Sequence, residues 1–277
     1  MKFCILNTFK PFSEKSICFF VTYLAEKISL DAIRTYISAI RFYMRLKIAP
    51  RKMRTLNAII EGIKRTIPQA PQQKPRLPIS SKELKQLQEK AQQLNTQDAA
   101  MIWAACLVAY YGFMRVSELT TPNEHSHKHN NSLMRYDLQM HNNYMTILLR
   151  QSKTDKYKIG ANITIAANNT TLCPIKAMKN YLKYRGKNPG PLFIFKSNKN
   201  LTPKIFNKFI KYTLPSTSNG RFTAHSFRIG AASQAAKAGC PKYIIKQAGR
   251  WKSDVYQRYI HLGVETFQKL SSVLANT

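Results

Sequence analysis

The chain has 277 residues, 44% of them hydrophobic, enough for one large domain or two modest ones with a proper core and too much for wholesale disorder. Lys and Arg total 44 against 13 Asp and Glu, a net charge of +31. So basic a surface repels itself unless a polyanion covers it, which points to nucleic acid, and 13 carboxylates leave little from which to build a metal-dependent nuclease.

Residues 1–75 hold 14 basic and 4 acidic residues, and residues 76–277 hold 30 and 9. Both parts are net positive, which fits two domains gripping one ligand rather than an enzyme with a basic tail. Near the start, Cys18-Phe19-Phe20-Val21 is apolar but short, with Glu14, Lys15 and Glu26 around it. It is no signal peptide and no membrane span. Ile33, Tyr36, Ile37 and Ile40 then recur at helical spacing, with Asp31 placed as a cap and Arg34, Arg41 and Arg45 interleaved. A second amphipathic helix follows on Leu56, Ile59, Ile60 and Ile63, with Lys52, Arg54, Lys64 and Arg65 at its ends. Residues 1–67 therefore read as a small helical DNA-binding domain.

The stretch from Pro68 to Pro78 holds four prolines with glutamines among the residues between them and can continue neither a helix nor a ladder, so 68–79 is an extended linker. Beyond it, residues 80–277 form the second domain. Ser81 is placed to cap a helix through Leu84 and Leu87, and Ala99 to Tyr111 is a long apolar helix suited to the core. Tyr144–Leu149 and Ile159–Ile165 are β-rich around the polar tip Lys153-Thr154-Asp155-Lys156, which predicts a hairpin. Helices resume at Pro174 and again at Thr202-Pro203, and the chain from His225 onward is helical with breaks at Gly239 and Gly249. The fold class is mainly α with a small β-meander.

Five cysteines, far apart and without a CxxC pair, argue against a zinc site or a disulfide framework and for reduced thiols in an intracellular compartment. His125, His127 and His129 alternate in an Asn-rich stretch with no supporting thiol or carboxylate cluster, and read as a solvated loop. No phosphate-binding glycine loop is present.

Four separated segments carry chemistry. In Gly112-Phe113-Met114-Arg115-Val116-Ser117-Glu118-Leu119, an arginine follows directly on an apolar helix, with Glu118 three residues on to orient it. In Thr223-Ala224-His225-Ser226-Phe227-Arg228, a group that titrates near neutrality and a permanent bidentate phosphate ligand share one face of a helix start. The others are Gly249-Arg250-Trp251-Lys252-Ser253 and Tyr256-Gln257-Arg258-Tyr259-Ile260-His261.

Taken together and in this order, these segments and the hairpin lysine resemble the tyrosine recombinase (phage-integrase) family. The GRWKSD…YQRYI ending looks most like the Crypton or DIRS recombinases of eukaryotic mobile elements. The resemblance implies a site-specific enzyme that cleaves and rejoins duplex DNA through a 3′-phosphotyrosyl intermediate, without cofactor or metal. It implies a dimer or tetramer on DNA, with the segment after His261 available to dock on a neighbour, and a nuclear location, or cytoplasmic in a prokaryote.

The chemistry fits these residues. Arg115 and Arg228 would neutralise the non-bridging oxygens of a phosphodiester. His225 would take the proton of a phenol whose ordinary pKa is about 10. By the resemblance, Lys153 (with Lys156 as the alternative) protonates the leaving 5′ oxygen, Trp251 holds the position often occupied by His, and Tyr259 is the nucleophile. Family members place that tyrosine nine residues after the His or Trp, whereas Tyr259 follows Trp251 by eight; Tyr256 is the alternative. Two other readings are a DNA-binding relative that no longer cuts and a type IB topoisomerase. At roughly 70 residues the first domain is short for its role, which leaves room for an upstream exon or domain.

Overall fold

A computed structural model describes residues 13–47, 53–66, 74–125, 132–152, 155, 157–254, 257, 268 and 271–272. The chain divides into two compact units, Met1–Gln73 and Lys74–Thr277.

In the first unit, three helices share one apolar core. These are α1 (Glu14–Ala25), α2 (Leu30–Lys47) and α3 (Arg54–Thr66). Ile17 and Val21 of α1, Ile33 and Ile37 of α2, and Leu56 and Ile63 of α3 are buried together. The Ser13 hydroxyl caps α1 by accepting from the Ser16 amide. The expected cap of α2, Asp31, lies instead in its first turn; two residues earlier, the Ser29 hydroxyl accepts from Ala32 N–H at 3.4 Å. The Glu14 carboxylate reaches from α1 to the Leu56 amide at 3.1 Å, tying the first helix to the third.

The second unit is built on α5 (Thr96–Tyr111), whose residues Ala104 to Leu107 are wholly buried, so all sides of this turn face protein. Around it pack α4 (Ser81–Ala91), α7 (Pro174–Arg185) and α9 (Ala224–Lys237). Short α6 (Val116–Leu119) follows the turn at the end of α5, α8 (Pro203–Thr213) packs on α4 and α9, and α10 (Lys242–Ala248) follows α9. The cap of α4 is Ser80 rather than Ser81: its amide donates to Glu83 at 2.8 Å while its hydroxyl accepts from Lys82, a capping box one residue earlier than expected.

The sheet has three antiparallel strands in the order β1 (Leu138–Met140), β2 (Tyr144–Leu149) and β3 (Ala161–Ala166), with Leu138 opposite Ile147 and Leu149 opposite Ala161. It is the expected meander, with β1 as an additional strand. Met145, Ile147, Leu149, Ile163 and Ile165 line its buried face. The polar tip between β2 and β3 is tied off by Asp155, whose carboxylate accepts from the amides of Ile159 at 3.2 Å and Gly160 at 2.8 Å.

Candidate active site

The end of α5 decides where the site forms. Gly112 terminates the helix and Phe113 takes a left-handed backbone, φ 49°, which turns the chain so that Arg115 opens α6. Such a conformation costs a non-glycine residue on the order of 1 kcal/mol and persists only where the surroundings hold it. Here two guanidiniums do so. The Phe113 carbonyl accepts from Arg228 Nη1 at 2.6 Å and from Arg250 Nη2 at 3.1 Å. Arg250 also has a left-handed backbone, φ 55°, so two strained turns, one after α5 and one after α10, are fastened to each other by side-chain donors.

Glu118 sits at the centre, its side chain 3% exposed. One carboxylate oxygen accepts from Arg115 Nη1 at 2.8 Å; the other accepts from the Arg115 amide and from Arg250 Nη2, each at 2.8 Å. The expected i,i+3 contact between Arg115 and Glu118 is present. Burial penalises the Glu118 charge, but the two arginines and the amide outweigh it and hold the carboxyl below its ordinary range. Among the described residues, Nε and Nη2 of Arg115 have no partner, and that edge is the one that presents two parallel N–H bonds to an oxyanion.

Thr223 caps α9, and the helix start places His225 and Arg228 on one face. Arg228 is 1% exposed. Besides the Phe113 carbonyl it donates Nη2 to the Gly249 carbonyl, and its guanidinium lies 4.3 Å from the ring centre of Trp251. Gly249 is required at this point, because an added Cβ would fall 1.7 Å from the Trp251 ring. Trp251 also meets Phe113 edge to face, with ring centres 6.2 Å apart. Trp251 is thus packed as the lid over Arg228. The His225 imidazole is pushed down to about 4, first by burial and then by the charges of Arg76, Arg228 and Arg115. At neutral pH it is unprotonated and able to accept a proton.

Arg115, His225, Arg228 and Trp251, drawn from three distant segments, therefore converge. Lys153, its alternative Lys156, Tyr259 and its alternative Tyr256 lie outside the described residues, as do His127, His129 and most of the chain after His261. Sequence reasoning missed Arg250 as the second partner of Glu118, from which it is separated by 132 residues. Among the described residues, no group of three His, Cys, Asp or Glu side chains is placed to hold a metal ion, and no helix is long and apolar enough to cross a membrane.

Comparison with known proteins gives a match to the phage integrase family over residues 78–265. No curated protein matches. Among solved structures, the chain is similar to the XerH site-specific recombinase bound to palindromic difH substrate in a post-cleavage complex, with 16% identity, TM-score 0.63, and coverage of 96% of this chain and 73% of that one. It is similar to the Tn1549 transposon integrase in complex with transposon right end DNA, at 14% identity, TM-score 0.63, and coverage of 95% and 85%. It is also similar to a lambda integrase dimer bound to a COC′ core site, at 15% identity, TM-score 0.58, and coverage of 91% and 80%. At these identities the three likenesses speak for the fold.

Proposed function

The chain belongs to the phage integrase family, whose members cleave and rejoin DNA, and we propose that it does so through a covalent phosphotyrosine at Tyr259. The observation that carries this reading is the convergence of Arg115, with an unspent two-donor edge, on a neutral His225 and on Arg228.

In the proposed step, the Tyr259 oxygen attacks the scissile phosphorus while His225 accepts the phenol proton. The bond from phosphorus to the 5′ oxygen breaks, and Lys153 (alternatively Lys156) donates the proton that makes the leaving group a hydroxyl. The product is a 3′-phosphotyrosyl enzyme. Its ester keeps the energy of the broken bond, so a 5′ hydroxyl can reverse the reaction without ATP. A depressed imidazole is a weak base towards a phenol, but the incoming phosphate is itself negative. It offsets the arginines around His225 and raises that ring's proton affinity as the substrate binds. Trp251 keeps water from Arg228 and presents its indole N–H near the phosphate.

Strand exchange involves two duplexes, so the working form is a dimer or tetramer on DNA. The GRWKSD…YQRYI ending supports a mobile-element recombinase of the Crypton or DIRS kind, acting in integration or excision in the nucleus.

A pool of randomised duplex DNA tests the reading. Protein incubated with it in EDTA and denatured should carry covalently attached DNA, and Tyr259→Phe should carry none. Tight binding without an adduct would instead favour a relative that binds DNA and no longer cuts. Relaxation of plasmids regardless of sequence would favour a topoisomerase.

A further inference from the structure

The charge on Arg76 has no use so far. Residues 74–79 run as an extended strap along the segment that leads into α9. Leu77 N–H donates to the Arg221 carbonyl and Arg221 N–H to the Pro75 carbonyl, both at 2.9 Å, the pattern of a parallel bridge centred on Arg76 and Arg221. Lys74 Nζ donates to the Thr217 carbonyl at 2.9 Å, and Ile79 N–H donates to the Ser226 carbonyl, beside His225, at 3.1 Å. Ile79 is fully buried, and α9 makes room for its backbone with Gly230, where an added Cβ would stand 1.9 Å from the Ile79 carbonyl oxygen. The strap backbone is therefore fixed at both ends relative to the helix that carries His225 and Arg228.

Arg76 alternates with the inward Leu77 and Ile79, and is exposed. Among the described residues its side chain has no hydrogen bond and no ion pair. Unpaired, it is nonetheless close to the site, since its charge acts on His225 more strongly than those of Arg228 and Arg115. A guanidinium on a rigid backbone, with no acidic partner and beside the proposed base, is what an oxyanion ligand requires.

We propose that Arg76 is a further phosphate-binding residue of the site, held by the strap beside His225 to contact the DNA backbone next to the scissile phosphate. The proposal rests on the reading that DNA phosphate is the ligand of Arg115 and Arg228, but its test does not require cleavage. Each such contact releases counterions, so it contributes about one unit to the slope of log affinity against log salt.

The test uses the full chain with Arg76→Gln and Arg76→Lys. Two readouts are taken together: the salt slope for binding duplex DNA of arbitrary sequence, and the titration of the His225 ring by NMR in the free protein, assigned with His225→Gln. The charged groups facing that ring are Arg76 from the strap, Arg228 from its own helix and Arg115 from the start of α6. The expected result for Arg76→Gln is a salt slope shallower by about one unit, with a His225 titration shifted upward. Arg76→Lys should leave both close to wild type. An unchanged slope with a shifted titration overturns the phosphate contact. A reduced slope with an unchanged titration overturns the placement beside His225. Wild-type protein that binds duplex without forming an adduct contradicts the cleavage reading alone and leaves both readouts intact.

Discussion

Glu118 carries one negative charge between two guanidiniums, and the division of labour follows from which donors it takes. Arg250 spends Nη2 on it and Nη1 on the Gly112 carbonyl at 3.0 Å, and its remaining donor, Nε, is buried. Arg115 spends only Nη1 and keeps its opposite edge. Arg250 thus offsets the carboxylate that would otherwise draw on Arg115 alone. Replacing Arg250 with Gln should slow cleavage and cost on the order of 1–3 kcal/mol of stability, the cost of leaving a buried charge short of a partner. Adding Glu118→Gln in that background should recover part of the stability; if the second change only adds damage, charge balance is not what Arg250 supplies.

His225 permits a second check. Its folded proton affinity is depressed to about 4, against an ordinary value near 6.5. Between these limits the unfolded chain binds the proton and the folded one does not, so stability falls as pH drops from about 6.5 towards 4. Chemical denaturation across that window should show a decline that is smaller in His225→Gln; an equal decline in both would place the responsible group elsewhere.

At this scale the sequence displayed Arg115, Glu118, His225 and Arg228 because each pair is local, three residues apart on a helix turn. It did not display Arg250, whose partners lie across the fold. In hindsight one signal existed. Arg250 stands nine residues before Tyr259, the interval that the resemblance required of the position assigned to Trp251.

At the scale of elements, α9 and the strap are one device. The small residues after Arg228 let the strap backbone lie directly on the helix, with Gly230 at the point of closest approach. Gly230→Ala would drive a Cβ into backbone, which cannot swing aside as a side-chain end can. We expect a loss of about 1–3 kcal/mol, the usual range for overpacking, together with an upward shift of the His225 titration as Arg76 moves away. A thermal melt and the NMR titration check both; a melt unchanged by the substitution would contradict the close packing.

Strong periodicity made the long elements readable. The apolar run of α5, the Pro-led starts of α7 and α8, and β2 with β3 all stand close to where pattern and caps put them. The displaced caps, Ser29 for Asp31 and Ser80 for Ser81, each arise where two residues one or two positions apart could both serve. Strand β1 went unread because three residues, Leu138–Met140, are too few to show alternation.

At the scale of the whole molecule, a basic excess shared by both units, an arginine–histidine cluster in the second and membership of the phage integrase family point to one activity. The division between the units falls inside the Pro-rich stretch, between Gln73 and Lys74, but the expected linker 68–79 is too long: residues 74–79 belong to the second unit, where the chain around Arg76 bridges to Arg221. The use made of the first unit was not legible, because a basic helical face by itself specifies no particular ligand. The measurement that tests the central claim most directly is identification of the amino acid joined to DNA. After trapping, the adduct is digested with nuclease and protease, and the nucleotide-bearing peptide is sequenced by mass spectrometry. The account predicts a 3′-nucleotide on the Tyr259 oxygen. A nucleotide on Tyr256 would move the nucleophile by three residues, and attachment to any residue outside 256–259 would contradict the mechanism.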